Sequence, residues 1–334
     1  MFTKSELKLI DFVKHTKFLQ ENTKDIYIRR YEVIKNDIYN KPIDYVIKYP
    51  KQFLSKLNNY AKQTKGRLGN QSLSLHAKDG YISAIKALFI YNQELKENEK
   101  DLLDKWDEIH DIIRKPIDKK YKSNKPTPRQ EEGYVSYNDI LKKRNELDDG
   151  SIERLLITMY TEIPPVRSDF YKTQIVYIDG IKDEKQTKDN ITQDINYIII
   201  NKDDITKSKL IMQKYKTSKH YKCIEIPLND EILRQLTISL EKYPRNYLFV
   251  GKNKKPFDKE NSFNTFANRL IKQKLQNDKI TLCMFRHSYI SRPDLKLEEK
   301  SGLEQDEIAK VMGHSITQQA KYRWNIWLNE KKKQ

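Results

Sequence analysis

Near its C-terminus the chain reads KVMGHSITQQAKYRWNIW, residues 310–327, with His314 eight residues ahead of Tyr322. A phenol placed by a histidine can serve as a nucleophile, yet Tyr322 is one tyrosine among 21 and its type alone decides nothing. Three other stretches of the C-terminal half carry side chains that can do chemistry. TEIPPVRSDFYKTQI sets Arg167 behind a Pro-Pro pair that must end the preceding helix, so the arginine sits on a rigid turn. QKYKTSKHYKCIEIPL puts Lys216 at the tip between two strand-like runs, where a flexible ammonium reaches outward. TLCMFRHSYIS places Arg286 and His287 in the first turns of a helix capped by Thr281. Taken singly, each has a plain structural explanation. Arg167 can pair with Asp169, Lys216 is one lysine of many, Arg286 can pair at a surface, and His314 can be a satisfied helix-terminal histidine.

Composition limits the chemistry further. The chain has 334 residues, enough for two domains with separate cores. Lys and Arg number 64 against 47 Asp and Glu, a net charge of +17 that favours a polyanionic partner such as nucleic acid. Neither a run of eighteen apolar residues nor a signal-peptide core is present, so a soluble, intracellular protein without membrane association is expected. Cys223 and Cys283 are the two cysteines, sixty positions apart, and the histidines show no HExxH spacing. The nine glycines form neither GxGxxG nor GxxxxGK. No metal or nucleotide cofactor is expected.

The elements that must position these residues fall into two groups. In TKDIYIRRYEVIKNDIY, Tyr27, Tyr31, Ile34 and Ile38 share one helical face, and Tyr81, Ile85, Leu88 and Phe89 mark a second helix. Residues 114–133, RKPIDKKYKSNKPTPRQEEG, hold three prolines and seven basic residues and predict an extended linker. Ser136 with Asp139 opens a helix through Leu147, and Ser151 opens another with Leu155, Leu156 and Met159 buried. QIVYI, INYIII, KLIMQ and KCIEIP then alternate as strands, the short apolar run YLFVG lies further on, and helices resume at Asn229, Ser262, Thr281 and Leu303. The fold expected is mainly α with a small antiparallel β-sheet inserted in the second domain.

The order Arg, hairpin Lys, Arg-His, Gly-His, Tyr resembles the signature of tyrosine recombinases, the phage-integrase family; FRHS and VMGHS are its most specific pieces. The PPVRSDFY box and the Lys-, Asn- and Ile-rich style look like recombinases of large DNA viruses, virophages and related mobile elements. The resemblance covers residues 151–322 by motif and about 23–110 by helical character alone. It implies a helical core-binding domain that contacts DNA over 1–113, the basic linker over 114–133, and an α+β catalytic domain with a C-terminal tail over 134–334.

By the same resemblance, Arg167 and Arg286 clamp the scissile phosphate, Lys216 protonates the leaving 5′-oxygen, His314 fills the second histidine-or-tryptophan position, and Tyr322 is the nucleophile. Two guanidiniums can stabilise the charge that builds on a phosphodiester during tyrosine attack, where other enzymes use magnesium. Cys283 stands three residues before Arg286, where the family usually has histidine or lysine. His287 and Cys283 are the candidates for that accessory role, and Lys219 is the alternative to Lys216. The implied partner is double-stranded DNA, gripped by a homotetramer that pairs two sites. Two other functions share these residues: relaxation of supercoils in the manner of a type IB topoisomerase, and DNA binding without cleavage. Trp324 and Trp327, in the tail, can dock on a neighbouring subunit or pack on the chain's own last helix.

Overall fold

The structure, a computed structural model, describes residues 2–62, 71–123, 125–179, 192 and 194–324. It divides into two compact units, Met1–Ser123 and Asn124–Gln334.

The first unit contains helices α1 (Lys4–His15), α2 (Glu21–Val33), α3 (Ile43–Val46), α4 (Pro50–Asn59), α5 (Leu75–Ile90), α6 (Gln93–Asn98) and α7 (Lys100–Lys122). Two short antiparallel strands, β1 (Ala61–Lys62) and β2 (Gln71–Ser72), join α4 to α5. The apolar stripe of α2 runs on through a π-helical turn at Ile34–Ile38, keeping Tyr31, Ile34 and Ile38 in the core. Buried polar groups there are paired. Tyr31 Oη donates to Ala84 O at 2.7 Å, and Trp106 Nε1 donates to Ile47 O at 2.8 Å.

Helix α7 corrects the linker expected over 114–133. It continues to Lys122 with Pro116 inside it, and Pro128–Gly133 forms a further short helix, α8. Trp106, Ile109, Ile113 and Ile117 recur at helical spacing and are all buried in the first unit's core. Burying such a stripe is worth several times the roughly 3 kcal/mol that an interior proline costs. The run of prolines and like charges masked this periodicity.

In the second unit, α9 (Tyr137–Asn145) and α10 (Ile152–Met159) precede a four-stranded sheet of β3 (Gln174–Ile178), β4 (Tyr197–Asn201), β5 (Lys209–Met212) and β6 (Ile224–Pro227). A one-turn helix α11 (Ser218–Tyr221) lies between β5 and β6. Helices α12 (Asp230–Lys242), α13 (Glu260–Lys274), α14 (Leu282–Ile290), α15 (Gly302–Val311) and α16 (Ile316–Ala320) complete the unit. The unit is mainly helical with a small sheet, but that sheet is mixed. β3 pairs parallel to β4 from Gln174↔Tyr197 to Ile178↔Asn201, while β4–β5 and β5–β6 are antiparallel. A parallel pair needs a long crossover, and residues 179–196 supply the length. The YLFVG run does not form a further strand. It lies along β3 through single contacts, Leu248 N–H to Thr173 O at 2.8 Å and Ile175 N–H to Asn246 O at 2.9 Å.

All five residues of β4 are buried, because alternate side chains enter two separate apolar clusters. Ile198 and Ile200 join the large core with Leu210 and Met212, and Ile199 joins a smaller one with Ile178 and Ile211.

Candidate active site

Arg167 follows the end of α10 on a turn held from both sides. Tyr160 Oη donates to Arg167 O at 2.5 Å, and the Arg167 backbone N–H donates to Asp169 Oδ2 at 3.0 Å. The expected alternative, a side-chain pair with Asp169, is not what the guanidinium makes: its Nη1 donates to Gly313 O at 2.9 Å. Gly313 follows α15 with φ +69°, and an added Cβ would lie 3.3 Å from Arg167 Nη1 and 3.4 Å from Thr217 Oγ1. The positive φ calls for glycine there, and a Cβ would in addition press on the Arg167 guanidinium.

Helix α14 brings Arg286 into the same place. The residue is 1% exposed; Nη2 donates to Met312 O and Nη1 to the Tyr322 hydroxyl at 3.4 Å, with the guanidinium 5.6 Å from the Tyr322 ring centre. Thr281 precedes this helix without capping it by its side chain; the Leu282 N–H donates instead to Asn268 Oδ1 of α13 at 2.8 Å. A cap drawn from another helix cannot be read from local sequence. His287, next to Arg286, faces the backbone of the same tyrosine, its Nδ1 lying 3.1 Å from Tyr322 O.

His314 lies just beyond Gly313 and is buried, its ring centre 5.2 Å from that of Tyr322. Its Nδ1 sits 3.1 Å from Ser315 O, so that nitrogen carries the proton and Nε2 is left as the acceptor in the neutral ring. Tyr221 of α11 donates its hydroxyl to His314 O at 3.2 Å, tying the β5–β6 connection to this segment.

Arg167, Arg286, His287, His314 and Tyr322 thus gather from well-separated parts of the chain. Lys216 and Lys219 are exposed on the β5–β6 connection, and no described contact brings either ammonium to the cluster. Lys216 is nonetheless flanked by Tyr215 and Thr217, whose side chains lie against Gly313. Cys283 reaches solvent from the first turn of α14, with its thiol pushed up by the protein around it and drawn down less strongly by Arg286 and Arg167.

Asn196 escaped the sequence reading. It is buried, donates to Asp169 O at 2.8 Å and Lys214 O at 3.0 Å, and accepts from the N–H groups of Gln213 and Lys214 at 2.9 and 2.8 Å. One amide therefore ties the turn after Arg167 to the approach to Lys216. Its four hydrogen bonds reach across three chain segments, so nothing around position 196 announces them.

Burial sets the electrostatics. Desolvation holds His287 and His314 at about 4, with Arg286 adding to the effect on both, so both rings are neutral at pH 7. Desolvation pushes the Asp169 carboxyl up to about 6 even though Arg286 and Arg167 pull it down. Burial, then repulsion from Arg286, lowers the pKa of Arg167. Arg286 Nε, His314 Nε2 and Thr217 Oγ1 are three of the ten buried polar atoms that lack a hydrogen-bond partner among the described residues. Such atoms cost about 1–3 kcal/mol each; Arg286 Nε and the Thr217 hydroxyl are free to donate, while His314 Nε2 is free to accept.

No protein-family model matches the chain, and none of the curated proteins does. Among solved structures the chain is similar to one described as the crystal structure of XerA recombinase, at 15% identity and a TM-score of 0.38, covering 95% of this chain and 93% of that one.

Proposed function

We propose that the chain is a site-specific DNA recombinase or integrase of the tyrosine type, which cleaves and rejoins DNA through a 3′-phosphotyrosyl ester. The observation that carries this reading is that Arg286 and His314 lie against Tyr322 while Arg167 bonds Gly313 O beside His314, the residues coming from a turn, a helix and a helix end far apart in sequence. Tyr322 Oη attacks the phosphorus, the bond to the 5′-oxygen breaks, and the broken bond's energy is kept in the new ester. Arg167 and Arg286 stabilise the charge on the nonbridging oxygens. His314 Nε2, the acceptor nitrogen, takes the phenolic proton; Lys216, or Lys219 beside it, gives a proton to the departing 5′-oxygen. Attack by a 5′-hydroxyl on the ester reverses the steps and rejoins the strand.

The +17 charge suits a DNA partner, and the helical first unit serves as the core-binding domain. Recombination between two sites calls for a synaptic homotetramer, encoded by a virus or another mobile element. The test uses a pool of nicked duplexes with randomised flanks, in which the fragment beyond the nick diffuses away and traps the ester. Wild-type protein forms a covalent adduct that resists denaturant, and Tyr322→Phe forms none. An adduct from Tyr322→Phe rules out the nucleophile. Adducts accompanied by relaxation of plasmids, without exchange between any two sites, identify a type IB topoisomerase activity instead. Salt-sensitive binding without any adduct identifies a DNA-binding protein that does not cleave.

A further inference from the structure

Tyr322 is gripped at both ends by one helix. At its hydroxyl the donor is Arg286 of α14; at its backbone the carbonyl oxygen lies 3.1 Å from His287 Nδ1 and accepts from Ser291 Oγ at 3.3 Å. His287 and Ser291 are four residues apart, on one face of the end of α14, and the Ser291 N–H bonds back to His287 O at 2.9 Å. Ser291 Oγ also accepts the backbone N–H of Trp324 at 2.9 Å. The Trp324 indole then stacks on the His287 ring, centres 3.7 Å apart and planes 20° apart, and the Tyr134 ring lies tilted against it with centres 5.8 Å apart. Trp324 is 3% exposed, His287 5% and Ser291 6%. Trp324 is part of the second unit's main apolar core.

This arrangement has features that packing alone does not require. Helix α16 ends at Ala320, so Tyr322 lies in a turn, where a side chain has little regular structure to hold it. Two hydrogen bonds to its carbonyl and an anchored aromatic two residues later remove that freedom. Attack on phosphorus demands near-attack geometry, and small displacements of a nucleophile are expensive. His287 uses Nδ1 as a donor to a carbonyl, which occupies it as a support for the backbone and not as an acid or base at the phosphate.

We propose that His287, Ser291 and Trp324 form a latch that positions the Tyr322 hydroxyl for attack on the phosphate. These three are positioning residues, acting through the backbone of Tyr322. The inference rests on the recombinase reading, and the experiment separates the two.

Covalent adduct formation on the randomised nicked-duplex pool is measured beside binding to the same pool and thermal unfolding. Trp324→Ala lowers the rate of adduct formation roughly 100-fold while binding changes by less than about threefold. Trp324→Phe keeps an aromatic on His287 and restores most of the rate; this variant carries the test if the alanine form does not fold. In a second arm, Ser291→Ala removes one bond to the Tyr322 carbonyl and lowers the rate roughly tenfold while binding is unchanged. An undiminished rate in folded Trp324→Ala, or in folded Ser291→Ala, overturns the proposal. Failure of the wild-type chain to form any adduct overturns the recombinase reading itself, and the role of the latch with it.

Discussion

Helices α7 and α14 follow opposite rules. α7 buries a single apolar stripe, Trp106, Ile109, Ile113 and Ile117, and leaves its charged residues outside. In α14 every residue except Cys283 is buried, and three of those taken inside are polar: Arg286, His287 and Ser288. Each has a defined partner. Arg286 bonds Met312 O and the Tyr322 hydroxyl, His287 meets Tyr322 O, and Ser288 Oγ donates to Val135 O at 2.6 Å. Apolar burial stabilises; burial of an arginine and a histidine costs free energy that packing of similar size would not. α7 takes inside only what stabilises it, while α14 gives up stability to hold polar groups in fixed positions.

The sharpest contrast comes from truncating one large side chain in each. Arg286→Ala is expected to lower adduct formation at least ~1000-fold, with a small change in unfolding midpoint because a buried charge leaves with its hydrogen bonds. Trp106→Ala is expected to cost about 3–5 kcal/mol of stability in denaturant titration. Equal stability losses in the two variants would remove the distinction between the helices.

Acid probes the same difference. His287 and His314 titrate at about 4 in the folded chain, below their ordinary 6.5, so between those values the unfolded chain binds protons that the folded one refuses. The stability they contribute is complete above pH 6.5 and lost as pH falls toward 4, on the order of 3 kcal/mol each. Asp169, raised to about 6 from 3.8, acts in the opposite sense: its contribution is present below 3.8 and lost as pH rises through 6, so it offsets part of the slope. Urea midpoints between pH 4 and 7 should therefore fall with acid, and His287→Asn should flatten the curve. A slope unchanged in His287→Asn would mean that this buried ring does not carry the penalty.

A smaller effect is expected at Gly313. Alanine there meets φ +69° and lies 3.3 Å from Arg167 Nη1, costing about 1–2 kcal/mol and displacing the guanidinium. Adduct formation should drop roughly tenfold, more than a stability loss of that size would cause in a folded protein. Undiminished cleavage by Gly313→Ala would show that Arg167 does not depend on this contact.

Local patterns carried a good part of the molecule. The helical face of Tyr31, Ile34 and Ile38 is buried as its spacing demands, because apolar periodicity is a property of neighbours in sequence. The Pro-Pro pair placed Arg167 on a turn for the same local reason. Other features lay beyond local reading. Pro116 and its lysines hid the stripe of α7, whose value depends on a core lying opposite. Asn268 caps a helix fourteen residues away, Asn196 links three segments, and β3 chooses a parallel partner across a long connection.

Tyr322 shows the boundary within one residue. Its type, and its order after Arg167, Arg286 and His314, are written in the chain. That its hydroxyl meets Arg286 while its carbonyl meets His287 and Ser291, and that Trp324 turns back into its own unit's core, followed only once α14 was buried beside the turn after α16. Hydrogen bonds and stacking act over a few ångströms between residues more than thirty positions apart. Composition and spacing can name the groups, but only packing brings them within that range.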